Sequence, residues 1–208
     1  MKKIILSAFA VMAFGFANAQ DVKFGVKGGF NLSNFSGDTE GVDLKSKAGF
    51  HVGGVAEIKL SDKFAIQPEL LYSTQGPKAV NQVGEDENGI TYTGDVCFNL
   101  SYINVPVMFK YYVAEKFNIE AGPQIGFLTS AKMKTTIDGF NGSNEMDVKD
   151  IFESIDFGLN LGAGYDFTDH FSAGVRYNLG LANIAKTEDG DDSKLHNGVF
   201  SLSVGYKF

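Results

Sequence analysis

The sequence predicts an all-β protein, an eight-stranded antiparallel up-and-down transmembrane β-barrel. Three observations carry that reading. Apolar residues recur with period two along most of the chain. Short turns alternate with long loops between the apolar runs. A leader at the N-terminus marks the chain for export. The 208 residues, 44% hydrophobic and 13% aromatic, suffice for one domain with a real core.

The leader occupies residues 1–19. Lys2 and Lys3 supply a positive start, Ile4 to Phe16 an apolar run, and Ala17-Asn18-Ala19 the small-x-small site cut by signal peptidase. The run is short for an uncleaved anchor helix, which favours cleavage before Gln20. No Cys follows the site, so no lipid anchor is expected there. The barrel domain is then 20–208. The charge moves from −7 to −9 once the two leader lysines are removed.

Strands are predicted over about 22–31, 48–60, 64–72, 97–112, 117–128, 155–167, 171–181 and 200–208. In 64–72, Phe64, Ile66, Pro68, Leu70 and Tyr72 share one face, and Ala65, Gln67, Glu69 and Leu71 the other. In 155–167, Ile155, Phe157, Leu159, Leu161, Ala163, Tyr165 and Phe167 oppose Asp156, Gly158, Asn160, Gly162, Gly164 and Asp166. The final run sets Phe200, Leu202, Val204, Tyr206 and Phe208 against Ser201, Ser203, Gly205 and Lys207.

The short connections are Ser61-Asp62-Lys63, Ala114-Glu115-Lys116 and Thr168-Asp169-His170. Each is followed at once by a phenylalanine, and Phe64, Phe117 and Phe171 stand 53 and 54 residues apart. The repeat marks three equivalent hairpin turns. The long connections, 32–47, 76–94, 131–153 and 183–196, carry net charges of −1, −2, −2 and −2, so most of the chain's negative charge lies in them. Short turns and both termini on one rim, with long loops on the other, is the layout of an outer-membrane barrel with periplasmic termini and extracellular loops. Lipid cannot satisfy an open sheet edge, so spanning strands must close. Phe64, Phe117, Phe167, Phe171, Tyr206 and Phe208 fall at the short-turn rim, where an aromatic girdle belongs.

A soluble eight-stranded barrel of lipocalin type, with its apolar face inward, shows the same alternation. Three features favour the membrane form. The polar face is rich in glycine (Gly25, Gly29, Gly53, Gly122, Gly126, Gly158, Gly162, Gly174, Gly205). The apolar face carries large residues on every strand. The chain ends on an aromatic alternation closing at Phe208. Pro68, Pro106 and Pro123 resist the reading, because a closed barrel has no edge to hide a proline. Each implies a bulge or a lost ladder bond, beyond which the facing could flip.

Four segments resemble the PorT-like outer-membrane β-barrel proteins. They are Gly25-Val26-Lys27-Gly28-Gly29-Phe30-Asn31-Leu32-Ser33-Asn34, Gln67-Pro68-Glu69-Leu70-Leu71-Tyr72-Ser73-Thr74-Gln75-Gly76, Ile103-Asn104-Val105-Pro106-Val107-Met108-Phe109-Lys110-Tyr111-Tyr112 and Gly122-Pro123-Gln124-Ile125-Gly126. The resemblance spans essentially the whole chain after the leader. It implies an outer-membrane barrel of porin-family type from a Bacteroidota-like Gram-negative bacterium, with the prolines as family features. It implies little biochemistry, and the secretion role of the name-giving member does not transfer.

The predicted inward face carries Lys23, Lys27, Glu57, Lys59, Gln67, Glu69, Asn104, Lys110, Asn118, Glu120, Gln124, Asp156, Asn160, Asp166, Arg176 and Asn178. Eight strands leave an interior that side chains just fill, and buried charges must be paired. Glu57, Lys59, Glu69, Glu120 and Arg176 are therefore expected to form a cross-lumen network that plugs the barrel. A narrow polar pore is the alternative.

Catalysis is the reading from another class. Of three histidines, His170 lies in a short turn, His51 points inward near the outer end of the second strand, and His196 ends the last long loop. Asp95 or Asp192 could orient one of them, but no nucleophile motif surrounds any serine. The chain is read as non-enzymatic.

No cofactor and no metal site is expected. Asp38/Glu40, Glu85-Asp86-Glu87 and Glu188-Asp189 with Asp191-Asp192 bind cations loosely at most, because the calcium-loop spacing is absent. Cys97, the single cysteine, is expected to be inert and excludes a disulfide framework. The acidic balance argues against nucleic acid. The expected partners are the bilayer, the barrel-assembly machinery through the strand ending at Phe208, and an unidentified envelope or extracellular protein at the loops.

Overall fold

The computed structural model describes residues 22–38, 43–85, 91–139, 142–186 and 194–208. The leader lies outside them, as do Glu40, Asp86, Glu87, Glu188, Asp189, Asp191 and Asp192. Eleven strands follow in order: β1 (Val22–Gly37), β2 (Leu44–Lys45), β3 (Lys47–Lys59), β4 (Phe64–Gln75), β5 (Lys78–Glu85), β6 (Thr91–Tyr112), β7 (Phe117–Ile137), β8 (Ser143–Asp147), β9 (Ile155–Asp166), β10 (Phe171–Gly180) and β11 (Leu195–Lys207).

Eight of them form an antiparallel ring in the order β1-β3-β4-β6-β7-β9-β10-β11. It closes where β1 pairs β11, from Gly25 with Lys207 to Gly37 with Leu195. The expected eight strands are these. The other three correct the reading of the connections, because β2 falls within 32–47, β5 within 76–94 and β8 within 131–153. After a break at Gly76-Pro77, β5 resumes the β4 ladder along β6. β8 folds back on the end of β7, and β2 adds to the far edge of β5. A five-stranded sheet, β2-β5-β6-β7-β8, thus rises beyond the ring on the long-loop side.

The alternation decides which face is outside. Phe30 is 74% exposed and Val204 66%, whereas Glu57, Asn118 and Asn160 are buried at 1%, 1% and 0%. The apolar residues form the outer belt and the polar residues the interior, an inside-out arrangement that excludes the lipocalin-type alternative. On β6 the outward residues change from Ile103, Val105, Val107, Phe109 and Tyr111 to Asp95, Cys97 and Asn99. The projecting sheet therefore lies past the belt.

The three short turns close alike, with Leu60, Val113 and Phe167 donating their N–H to Phe64, Phe117 and Phe171 oxygens at 2.9, 3.0 and 2.9 Å. Ser61 Oγ accepts from the Phe64 amide at 3.2 Å, and Thr168 Oγ1 from the Phe171 amide at 2.9 Å. These hydroxyl turns explain the Ser and Thr opening two of the triplets.

The prolines cost ladder pairs but do not shift register. Pairing of β4 with β6 skips from Pro68–Val107 to Leu71–Asn104, and that of β6 with β7 from Pro106–Gln124 to Phe109–Ala121, in unbroken phase. The flips occur elsewhere. Tyr102 pairs with Leu128 and Ser101 with Ser130, leaving Thr129 as a bulge. Beyond it Ala131 and Met133 take the inward side that Leu128 held.

Candidate functional site

The barrel interior is layered. At the short-turn end Glu57 is the hub. Lys110 Nζ lies 2.9 Å from its Oε2 and Lys207 Nζ 3.0 Å from its Oε1. Lys207 also reaches Asp166 at 3.1 Å, and the Tyr112 hydroxyl sits 3.3 Å from Glu57 and 3.1 Å from Asp166. One level further in, Arg176 donates from Nη1 and Nη2 to both Glu69 oxygens at 3.0 and 2.9 Å, and from Nε to Glu120 at 2.9 Å. Lys27 and Gln67 complete the Glu69 shell at 3.2 and 2.6 Å.

Together the two layers set Glu57, Glu69, Glu120 and Asp166 against Lys27, Lys110, Arg176 and Lys207. Four charges meet four, as a low-dielectric interior requires. A space of about 40 Å³ separates the layers, and Asn118, whose Oδ1 has no protein partner, lines it. That volume takes a few waters.

The next layer is neutral. His51 Nδ1 lies 2.8 Å from Asn31 Oδ1 and Nε2 2.9 Å from Ser203 Oγ. Asn31 Nδ2 donates to the Phe50 and Thr74 carbonyls and to Ser73 Oγ, which fixes the amide. Asn31 Oδ1 is then the acceptor and His51 carries its proton on Nδ1. Nε2 is left to accept from Ser203. A polar space of about 30 Å³ adjoins this relay, lined also by Asn104, Gln124, Asn160 and Asn178.

An apolar cap closes the long-loop end. Phe35, Leu100, Tyr102, Leu128, Ala131, Phe152 and Ile184 form one buried cluster. Two connections contribute Phe152 and Ile184 and pair with each other. Phe152 bridges to Ala185, and the Glu153 amide donates to Ile184 oxygen at 2.8 Å. Phe152 packs on Phe35 and Phe98 with ring centres 6.1 and 6.2 Å apart.

The profile of the outer membrane protein β-barrel domain matches residues 17–186. The chain belongs to that family. No curated protein matches it in sequence. Among solved structures, this outer-membrane barrel is similar to Ail, the attachment invasion locus protein of Yersinia pestis, seen with the heparin analogue sucrose octasulfate. Identity is 14% and TM-score 0.50 over 91% of this chain and all of that one. It is also similar to Neisserial surface protein A at 16% identity and TM-score 0.51, with 91% and 100% covered. These likenesses establish the fold, and the family places the barrel in the outer membrane.

Of the residues the sequence singled out, Glu57, Glu69, Glu120 and Arg176 meet in the two ion layers, and Lys59 does not. Lys59 is exposed at the short-turn mouth, lining a vestibule of about 460 Å³ with Lys23, Asp62, Glu115 and Asp169. At the mouth a long ammonium side chain keeps its hydration. Beside Arg176, the cations that pair are Lys27, Lys110 and Lys207, all on the predicted inward phase, and the alternation alone assigns them no particular carboxylate.

His170 stacks on Tyr206, 5.7 Å between ring centres, and His196 belongs to β11, its Nδ1 2.8 Å from Ala182 oxygen. Asp95 orients neither histidine. It pairs with Lys78 at 2.6 Å on the projecting sheet. Asp38 accepts from the Lys194 amide at 2.8 Å. Cys97 is a half-buried free thiol.

Proposed function

We propose that this outer-membrane barrel is a non-conducting, non-enzymatic envelope protein that works through its long-loop end. In this reading the leader is cleaved, the short turns and termini face the periplasm, and the projecting sheet and acidic loops face outward to meet an envelope or extracellular protein. The observation that carries it is closure of the lumen at successive levels, by two balanced ion layers and an apolar cap, while the sheet extends past the belt. Catalysis has less support. The Ser203–His51–Asn31 relay adjoins a space of about 30 Å³, too small for a peptide or an acyl chain. The polysulfated ligand belongs to Ail. The net −7 of the four long connections here is the wrong sign for such a partner.

The deciding experiment is single-channel recording on residues 20–208 refolded into a planar bilayer, with insertion verified independently. A silent bilayer is expected. Discrete conductance steps would overturn the plugged-lumen reading in favour of a small channel and direct mutagenesis to Arg176 and Glu120.

A further inference from the structure

Asp156 stands outside the charge balance of the lumen. Of the four buried carboxylate side chains among the described residues, Glu57, Glu69 and Glu120 make ion pairs and Asp156 makes none. Its Oδ2 accepts from Asn197 Nδ2 at 2.8 Å, and its Oδ1 has no partner. The same Asn197 amide is 1% exposed and leaves its own Oδ1 unpartnered, while its Nδ2 also lies 3.4 Å from the Tyr102 hydroxyl.

A fourth oxygen comes from the adjoining strands. The ladders align Asn104 of β6 with Gly126 of β7, and Gly126 with Asp156 of β9. A Cβ on Gly126 would stand 2.7 Å from Asn104 Oδ1, 3.3 Å from Tyr102 Cδ1 and 3.6 Å from Asp156 Cβ. Glycine at this position is what lets the three side chains converge.

A buried carboxylate without a counter-charge is costly, so it holds either a proton or a cation. The side chains gathered here offer hard oxygens, one carboxylate with two amide carbonyls and a phenol. A single formal negative charge suits a monovalent ion, since divalent sites gather more carboxylates. We infer that Asp156 Oδ1, Asn197 Oδ1, Asn104 Oδ1 and Tyr102 Oη bind an alkali cation, Na⁺ or K⁺, beneath the apolar cap. Tyr102 belongs to the cap cluster and Asn197 to the wall strand β11. Because Tyr102 and Asn104 lie on β6 and Asp156 on β9, the bound ion ties three ring strands together beneath the cap and stabilises the closed lumen. The inference is independent of any partner at the loops.

The test is thermal unfolding of residues 20–208 in nanodiscs at pH 8, titrating NaCl or KCl against choline chloride at constant ionic strength. Tm is expected to rise saturably by several degrees with at least one alkali cation. Asp156→Asn, which keeps the shape and removes the charge, is expected to abolish that response. Equal Tm in choline, sodium and potassium overturns the site, and so does an unchanged response in Asp156→Asn. Should that variant not fold, rubidium-soaked crystals of the unaltered protein decide. An anomalous peak among the four oxygens supports the site, and a featureless map there overturns it.

Discussion

Arg176 and Glu69, 107 residues apart in the chain, meet at the centre of the barrel through two parallel hydrogen bonds of 3.0 and 2.9 Å. The planar guanidinium also takes Glu120, so a single cation holds two carboxylates from β4 and β7 against its own strand β10. Lysine offers a point charge without this fork, which makes the position specific for arginine.

Removing Arg176 leaves Glu69 and Glu120 facing each other in the interior, with Lys27 and Lys110 the remaining cations beside them. Arg176→Met is expected to destabilise the barrel by about 3–5 kcal/mol. Adding Glu120→Gln removes the stranded charge, leaves Lys27 paired with Glu69, and should restore much of the loss. Urea unfolding in detergent micelles reads both. Equal stability of Arg176→Met and the unaltered protein would show that the ion layer contributes nothing.

The alternation made the ring strands and the inward phase of Glu57, Glu69, Glu120 and Arg176 legible in the sequence. It could not say which cation meets which acid, because partners across a lumen depend on the stagger of strands far apart in the chain, as with Lys207 and Glu57. Nor did it reveal the sheet beyond the belt. In Lys132-Met133-Lys134-Thr135 no lipid demands an apolar outer face, so the hydrophobic period that betrays a strand disappears. The bulge at Thr129 hid the last part of β7 further by reversing its phase.

The His51 tautomer follows from the Asn31 amide and can be observed directly. Long-range ¹⁵N–¹H spectra of the folded protein should show a neutral imidazole protonated at Nδ1. Ser203→Ala takes away the donor to Nε2 and is expected to cost about 1–3 kcal/mol. An Nε2–H tautomer would reverse the assigned direction of the relay.

The apolar cap rests on Phe152 and Ile184, both 3% exposed or less. Phe152→Ala opens a cavity among Phe35, Phe98 and Ile184 and should weaken the cap by about 3–5 kcal/mol. The ring strands do not depend on this residue, so the loss is expected to be local. Limited proteolysis should cut near 149–154 and 181–186 in the variant while the ring strands stay protected. Protection as in the unaltered protein would place the stability of the cap elsewhere.

The Lys78–Asp95 pair, past the belt on the projecting sheet, tests how much an exposed ion pair matters. The hydrogen bond from Lys78 holds the Asp95 carboxyl below its ordinary value of 3.8. A carboxyl lowered on folding stabilises above that ordinary value, and its contribution fades as pH falls through the depressed one. Amide exchange in β5 and the facing part of β6 should therefore quicken only under strongly acidic conditions. Both side chains are open to water, where salt screens the attraction and chain entropy opposes it. Asp95→Asn is accordingly expected to leave Tm unchanged at neutral pH while removing the acid dependence of exchange. A clear fall in Tm at pH 7 would mean that the pair holds β5 to β6 more firmly than an exposed contact should.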